Sequence, residues 1–539
     1  MLNRVLKAYQ IYVLSALVSV FLTAITFYHY PVFNIDGVLY LRAANIFLQH
    51  GLKAAMNVYG WPLYSILIAV TGALFHLSLL HSAYLLNYIF SVFTVIVFIS
   101  IVKELGASVK QQWLAALAIL VFLPFNHYRV DIIKDQGYWS FYLLSIYFSL
   151  RFIKTEQWIS AVFWGAAIVV AGLFRIEGLL FLLLTPPFIF LFRNKSFFQK
   201  TVCFLKLNMV LLFFLVIFFA GMFLKPHLLL HTTKFNELIS EFRYGITVLV
   251  HKLQEMNFNI AQHVVNSLAK DTSSVFLFFG LLGVYLWQIL VVFSLGYLVS
   301  VIYAQIDEKL LSSCREKKIL YWYIAINIII TSVFFVQVNA FLSGRYLIPL
   351  ALTLLCFVPF GLSSLYHRWK ARTKTWTIHN VLFWFVVFSM LVMTIGSLHR
   401  FGPSKGYIYK SAAWIRKNTP ETATVYTNHE VLAFLTDRQF AEYHCGVAIK
   451  DQQVEEKHVP FSFFAIQGLT MDVSKKTTCS VEDNISQKLW EGYDYVILVV
   501  SKDNNELIDQ FEGVAHVQPI KVFSDNPRRG DQSYIFKLK

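Results

Sequence analysis

Tyr84-Leu-Leu-Asn-Tyr-Ile-Phe-Ser-Val-Phe-Thr-Val-Ile-Val-Phe-Ile-Ser-Ile-Val102 contains no charged residue, and Lys103 follows it directly. A helix of about 20 apolar residues crosses a hydrocarbon core of about 30 Å, and this stretch has nearly that length. Its apolar residues do not alternate with polar ones, as the strands of a membrane β-barrel require. The stretch therefore predicts a transmembrane helix.

Similar apolar segments recur along the rest of the chain. The longer ones cover residues 11–30, 61–80, 158–174, 207–224, 275–306, 319–342 and 381–398, and the shorter ones cover 113–125, 137–150, 178–192 and 346–365. Together they predict a mainly α-helical, polytopic bundle of about 12 to 13 membrane helices. An external tail requires an odd number of crossings, so we expect one extra or wrongly divided segment between residues 61 and 150.

Composition and charge support a membrane protein. The chain of 539 residues is 57% hydrophobic and 14% charged, far from the soluble average. Its net charge of +15 is concentrated in short loops beside apolar segments, which is the positive-inside pattern and not that of a nucleic-acid binding surface. These loops contain Arg193, Lys195, Lys200, Lys309, Arg315, Lys317, Lys318, Arg368, Lys370, Arg372 and Lys374.

The same rule predicts the orientation of the chain. Arg4 and Lys7 place the N-terminus in the cytoplasm, and the tail then lies on the external side. No small-residue cleavage site follows Tyr30, so the first segment is interpreted as a retained helix and not a signal peptide.

Two domains are predicted, a transmembrane module over residues 1–400 and a small soluble α/β domain over 401–539. Within the module, residues 31–60 form the first external loop. Residues 225–273 form an external amphipathic lid, because apolar residues recur there at helical spacing: Leu238, Phe242, Ile246, Leu249 and Leu253.

The tail predicts a mixed fold with few elements. A helix is expected over 410–417, strands over 424–427 and 495–500, and a terminal hairpin over 520–523 and 534–538. Cys445 and Cys479 both lie in this domain, and a disulfide and two free thiols are equally compatible with the sequence.

Charges at the ends of membrane helices are the candidate functional residues, because charge within a bilayer is costly and is usually paired or hydrated. Asp36 opens the first external loop, where it is either a base at the membrane boundary or the N-cap of a helix over 38–48. Arg129, Asp131, Lys134 and Asp135 form either a solvated loop or one that dips into the bundle.

Two further pairs carry an arginine. Arg175 and Glu177 form either a structural ion pair or a phosphate site in which Glu177 holds the guanidinium. Arg345 and Tyr346 either anchor a helix at the interface or add a second cation. His227 and His231 are interpreted as interfacial residues and not as metal ligands.

In this order, the clusters resemble the GT-C membrane glycosyltransferases, especially bacterial relatives of protein O-mannosyltransferases and of aminoarabinose transferases (glycosyltransferase family 39-like). The matching motifs, which span about residues 10–400, are Asp36-Gly-Val-Leu-Tyr40, Tyr59-Gly-Trp-Pro62-Leu-Tyr64, the stretch from Arg129 to Asp135, Arg175-Ile-Glu-Gly178 and Arg345-Tyr-Leu-Ile-Pro349. Many members have two adjacent acids where this chain has Asp36-Gly37, and aminoarabinose transferases have a lysine where it has Gly60-Trp61.

The resemblance implies an enzyme of the bacterial inner membrane with a periplasmic C-terminal domain. It would transfer a sugar, with inversion, from a polyprenyl-phosphate donor to a hydroxyl of a lipid, glycan or protein acceptor on the external face. Asp36 would be the general base, and Asp135 or Asp131 would orient the acceptor or tune Asp36.

The resemblance also suggests phosphate-binding and supporting residues. Arg175, Arg345, Lys134 and Arg129 would bind the donor phosphate, and Glu177, Tyr40 and Tyr346 would support them. No cofactor is implied with certainty, and a requirement for a divalent metal is left open. The alternatives are a transporter or flippase of lipid-linked sugars, which should have repeated halves and interrupted helices, and a non-catalytic sensor or assembly protein.

Overall fold

The computed structural model describes residues 2–29, 32–191, 196–224, 233–306, 314–338, 340–370, 377–398, 405–436, 490–500, 506–525 and 531–538. Its first half contains α1 (Leu2–His29), α2 (Ile35–Val58), α3 (Leu63–Phe75), α4 (Leu79–Glu104), α5 (Val109–Leu120), α6 (Leu123–His127), α7 (Asp135–Thr155), α8 (Trp158–Phe174), α9 (Glu177–Leu184), α10 (Phe197–Leu207) and α11 (Met209–Leu224). The helical part continues with α12 (Thr233–His263), α13 (Ser273–Phe293), α14 (Leu295–Ile306), α15 (Cys314–Gln337), α16 (Gly344–Leu355), α17 (Val358–Lys370) and α18 (Ile378–Leu398). Short 3₁₀ helices cover Pro186–Leu191 and Ser267–Thr272.

Several of these helices are suited to a membrane. Within the described residues, 5 helices are long and apolar enough to cross one, and the number rises to 7 if each of two bent pairs counts as one span. The bent pairs are α10 with α11, at 59°, and α16 with α17, at 49°. The chain is an integral membrane protein, and the predicted helical bundle with a small C-terminal sheet domain is confirmed.

One apolar block divides where we did not expect it. The segment 275–306 separates into α13 and α14 at Ser294, whose φ of 68° is left-handed. The Ser294 hydroxyl lies 3.2 Å from that of Ser389 on α18, so a contact with another helix accompanies the break. This division lies outside residues 61–150, and the extra or wrongly divided segment expected there stays a prediction.

The predicted lid segment contains one long helix, α12. Its Lys252 donates a hydrogen bond to the backbone carbonyl of Gln337, at the end of α15. The side chains of Leu238, Phe242 and Ile246 lie outside the described part, and the role of a lid stays a prediction.

The tail forms the predicted α/β fold. It contains α19 (Gly406–Asn418), β1 (Val425–Thr427), α20 (Glu430–Thr436), β2 (Tyr495–Val500), α21 (Glu506–Ala515), β3 (Lys521–Ser524) and β4 (Gln532–Lys537). The sheet order is β1-β2-β4-β3, with β1 parallel to β2, Val425 opposite Tyr495, and β3 and β4 paired as an antiparallel hairpin. Strand β2 is buried because its apolar side chains pack against α21, where Phe511 is fully enclosed. Cys445 and Cys479 lie outside the described residues.

The chain forms two compact units that differ from a simple division at residue 400. One contains residues 1–25, 84–129 and 134–399. The other contains residues 26–83, 130–133 and 400–539. The second unit therefore joins the predicted first external loop to the C-terminal domain.

Candidate functional site

The break between α8 and α9 places Arg175 and Glu177 inside the first unit. Helix α8 ends at Phe174, Arg175 is extended (φ −146°, ψ 130°), and α9 begins at Glu177. The Arg175 Nε donates to Glu177 Oε1 at 3.1 Å, so the predicted ion pair is present.

Asp135 joins this pair, which the sequence did not predict. It is the first residue of α7, and its carboxylate forms an ion pair with the guanidinium of Arg175. Asp135, Arg175 and Glu177 are all at least 96% buried. Because a buried charge is costly unless it is paired and hydrogen-bonded, the two carboxylates hold Arg175 in one position.

Two glycines permit this arrangement. A Cβ on Gly137 of α7 would lie 2.3 Å from the ring of Phe174, the residue before Arg175. A Cβ on Gly178 would lie 2.4 Å from the backbone nitrogen of Gly172 on α8. Both positions therefore allow α7, α8 and α9 to approach closely around Arg175.

Helix α16 brings the second arginine. Arg345 and Tyr346 lie in its first turn, and the guanidinium carbon of Arg175 stands 4.4 Å from the centre of the Tyr346 ring. The guanidinium carbon of Arg345 lies 5.5 Å from the same ring. Tyr346 thus contacts both cations through its π face, an arrangement that favours positive charge.

These residues line one pocket together with residues that the sequence analysis missed. Asp135, Arg175, Glu177, Arg345 and Tyr346 share it with Tyr138, Pro349 and four residues of α15, namely Asn327, Ile330, Thr331 and Phe334. Asn327 and Thr331 lie within the apolar segment 319–342, which we interpreted only as a membrane helix. Their signal was a pair of polar residues one helical turn apart within a membrane span, where polar groups are often functional.

Lys134 adds a third positive charge to this cluster. It is 5% exposed and lies in the loop before α7, outside the predicted span 137–150. Burial, and secondly the charge of Arg175, lower the pKa of Lys134 to about 8, so the ammonium form prevails at neutral pH. Lys134, Arg175 and Arg345 thus bring positive charge close to the carboxylates of Asp135 and Glu177.

Arg129 has other partners. Its Nε donates to Asn126 Oδ1 at 2.8 Å, and its Nη1 donates to the hydroxyls of Ser19 and Thr23 on α1, each at 2.9 Å. The guanidinium carbon also lies 4.9 Å from the ring centre of Phe125. The structure therefore brings Arg129 to α1 and not to the lining of the pocket.

Asp36, Tyr40 and Asp131 belong to the second compact unit. Helix α2 begins at Ile35 with Asn34 at the N-cap, so the prediction that Asp36 caps a helix starting at Val38 is wrong. Asn34 has the extended backbone of an N-cap, so the helix begins three residues before Val38. The half-buried Asp36 lies in its first turn, where the helix dipole favours negative charge. Asp131 is also half-buried.

Aromatic packing positions the start of α2. Tyr40 packs edge-on against Tyr59 and Tyr64, with ring centres 5.3 Å apart in each case. Phe33 lies 6.0 Å from Phe434 of α20, also edge-on. A Cβ on Gly37 would meet the Phe33 ring at 2.7 Å, so the residue after Asp36 has no room for a second acidic side chain.

A metal site is not evident in the part of the chain that the structure describes. There, no group of three or more His, Cys, Asp or Glu side chains is placed to hold an ion. Asp135 and Glu177 are both paired with Arg175.

No family model and no curated protein matches the chain. Among solved structures, the apo oligosaccharyltransferase of Archaeoglobus fulgidus is similar, with a TM-score of 0.42 and 14% identity over 80% of this chain and 64% of that one. Archaeal AglB from the same organism, in complex with an inhibitory peptide and a dolichol-phosphate, has a TM-score of 0.47 and 12% identity over 98% and 74%. ArnT from Cupriavidus metallidurans, bound to undecaprenyl phosphate, has a TM-score of 0.41 and 12% identity over 98% and 97%.

The chain spans less than two thirds of the length of the apo oligosaccharyltransferase. Identities and TM-scores this low transfer no residue's role from a GT-C enzyme to this chain.

Proposed function

We propose that the chain is a membrane glycosyltransferase that moves a sugar from a polyprenyl-phosphate donor to an acceptor hydroxyl on the external face. The main support is that Arg175 and Arg345, from two distant stretches of sequence, line one pocket among membrane helices, and that Lys134 interacts electrostatically with both. Basic loops elsewhere in the chain support placing this pocket toward the periplasm of a bacterial inner membrane.

The guanidinium groups of Arg175 and Arg345 suit a phosphodiester, because guanidinium binds the charged oxygens of a phosphate in a bidentate manner. Ile330 and Phe334 add apolar surface to the same pocket, beside which a lipid tail is able to remain in the bilayer. Arg175 is already oriented by its carboxylate partners, and preorganised charge of this kind stabilises a leaving phosphate without reorganisation during the reaction. We assign Arg129 to helix packing and not to the phosphate.

The proposed step is a single displacement. The acceptor oxygen forms a bond to the anomeric carbon while the bond from that carbon to the phosphate oxygen breaks, and the electron pair leaves with the phosphate. The acceptor proton passes to the carboxylate of Asp36, and the anomeric configuration inverts. Asp135 or Asp131 orients the acceptor, and Tyr346 supports the two arginines.

Variants of Arg345 and Asp36 separate phosphate binding from chemistry. We expect Arg345→Gln to weaken binding of farnesyl phosphate to the purified protein at least about tenfold, because a charged contact is lost. Arg345→Lys should retain part of the affinity. Asp36→Asn should bind farnesyl phosphate within about twofold of the wild type, since the phosphate site is unchanged.

Activity is measured in cells that lack the protein, as restoration of a glycolipid or surface glycan detected by mass spectrometry. We expect the wild type to restore the product and Asp36→Asn not to restore it. Restoration by Asp36→Asn would remove the proposed base, and unchanged phosphate binding by Arg345→Gln would remove the proposed site. Movement of a labelled lipid-linked sugar between vesicle leaflets, without transfer, would favour a flippase.

A further inference from the structure

Asn327 carries an amide deep inside the helical module, on the pocket wall that α15 provides. It is 3% exposed, although its side chain lines the pocket. Its Nδ2 donates to the Tyr142 hydroxyl at 2.6 Å and to the backbone carbonyl of Tyr323 at 2.8 Å. Because a carbonyl only accepts, the nitrogen must face this side, and the orientation of the amide is fixed.

The hydrogen bonds beyond Asn327 run in one direction. The Thr353 hydroxyl donates to the backbone carbonyl of Pro349 at 2.8 Å, which uses its only hydrogen. The Tyr142 hydroxyl, 2.7 Å from Thr353 Oγ1, must therefore donate to Thr353 and accept from Asn327. The side chains of Tyr142 and Thr353 are both fully buried. In a buried series of hydrogen bonds, each bond polarises the next one.

These hydrogen bonds occupy Nδ2, so Oδ1 is the atom through which Asn327 can accept a hydrogen bond in the pocket. Within the described residues, this oxygen has no hydrogen-bond partner. The neighbouring Thr331 hydroxyl is already used, because it donates to the Asn327 backbone carbonyl at 2.7 Å and lies 2.6 Å from the Tyr285 hydroxyl. The lining residues of α15 thus include an acceptor, opposite in character to the arginine cations that line the same pocket.

An acceptor does not bind a phosphate oxygen, since both atoms carry lone pairs and no hydrogen. It does bind a hydroxyl. We propose that Asn327 Oδ1 accepts a hydrogen bond from a hydroxyl of the sugar on the donor while Arg175 and Arg345 hold the phosphate. This inference rests on the proposed function and makes Asn327 a residue that selects donors bearing a sugar hydroxyl.

Two probes separate the sugar from the phosphate. Farnesyl phosphate carries no sugar, and the farnesyl phosphate esters of glucose, galactose and mannose carry one. We expect the wild type to bind at least one ester about tenfold more tightly than its deoxy form lacking the recognised hydroxyl, because a site built to accept a hydroxyl rejects the analogue without it. Asn327→Leu should abolish that difference and keep the affinity for farnesyl phosphate within about twofold.

Tyr285→Phe of α13 is the matched control, since it removes one buried hydrogen bond to α15, at Thr331, and Tyr285 does not itself line the pocket. It should retain the preference for the hydroxylated ester. The inference would be overturned if Asn327→Leu weakened the binding of both probes equally. It would also be overturned if the wild type bound each ester and its deoxy form with the same affinity. The second comparison uses only wild-type protein, so it stands even if the variant fails to fold.

Failure of the broader proposal gives a different result. A wild type that binds neither farnesyl phosphate nor its esters would contradict the phosphate site itself. Binding of both probes, with no effect of Asn327, would contradict only the assignment of the amide.

Discussion

The position of Arg175 depends on two nearby glycines as well as on its two ionic partners. Asp135 and Glu177 compensate its charge, but Gly137 and Gly178 allow the helices carrying those carboxylates to pack closely. At Gly178 the obstacle to a side chain is the backbone of Gly172, which cannot turn away as a flexible side chain does.

Gly178→Ala is therefore expected to separate α8 from α9 and displace Arg175. Overpacking of this kind costs about 1–3 kcal/mol, so we expect a lower melting temperature in detergent and at least about tenfold weaker binding of farnesyl phosphate. Gly280→Ala on α13 is the control, because a Cβ there meets nothing within 4 Å. Equal behaviour of the two variants would show that the close approach is not required.

At the scale of elements, the association of α1 with the loop before α7 depends on one charged side chain. Arg129 is 1% exposed and donates to Ser19, Thr23 and Asn126. Hydrogen bonds to a charged group contribute about 1.5–3 kcal/mol each. These hydrogen bonds explain why Arg129 is buried although it does not line the pocket.

Arg129→Met should consequently lower the melting temperature of the purified protein by several degrees, because α1 loses its polar contacts. Binding of farnesyl phosphate at a temperature well below the transition should stay within about twofold. Thr23→Val tests the same contact without removing the charge and should have a smaller effect in the same direction. Strong loss of phosphate binding with unchanged melting would restore Arg129 to the phosphate site.

Elements with a local signal were predictable, and those set by distant contacts were not. The tail hairpin and helix α19 follow from periodicity within their own residues. No proline or glycine stands at Ser294 to mark the break. Ser389, which Ser294 contacts, lies 95 residues further along the chain. Likewise, Arg175 and Glu177 were recognisable from their motif, but Asn327 acquires its role only from Tyr142 and Tyr323.

On the scale of the whole molecule, the C-terminal domain and helix α2, which carries Asp36, are parts of one compact unit. Helix α20 packs against α2, and the Phe33–Phe434 contact lies three residues before Asp36. The domain thus has a direct means of fixing the start of α2, in addition to any role in selecting an acceptor.

Loss of that aromatic contact should affect turnover more than donor binding. We expect Phe434→Ala to reduce product formation in cells several-fold at equal protein level, since an edge-to-face pair contributes about 0.5–1.5 kcal/mol beyond its buried area. Affinity for farnesyl phosphate should be unchanged. Val514→Ala, at an exposed position of α21, serves as the control. Equal product from both variants would mean that α20 does not position Asp36.

The composition of this unit also constrains how the protein is made. Residues 26–83 leave the ribosome well before residues 400–539, which belong to the same unit. The segment bearing Asp36 must therefore wait, incompletely packed, until residues 400–539 have been synthesised. A nascent chain arrested after α18 should expose Phe33 to chaperones and proteases, and synthesis of residues 400–539 should close that interval.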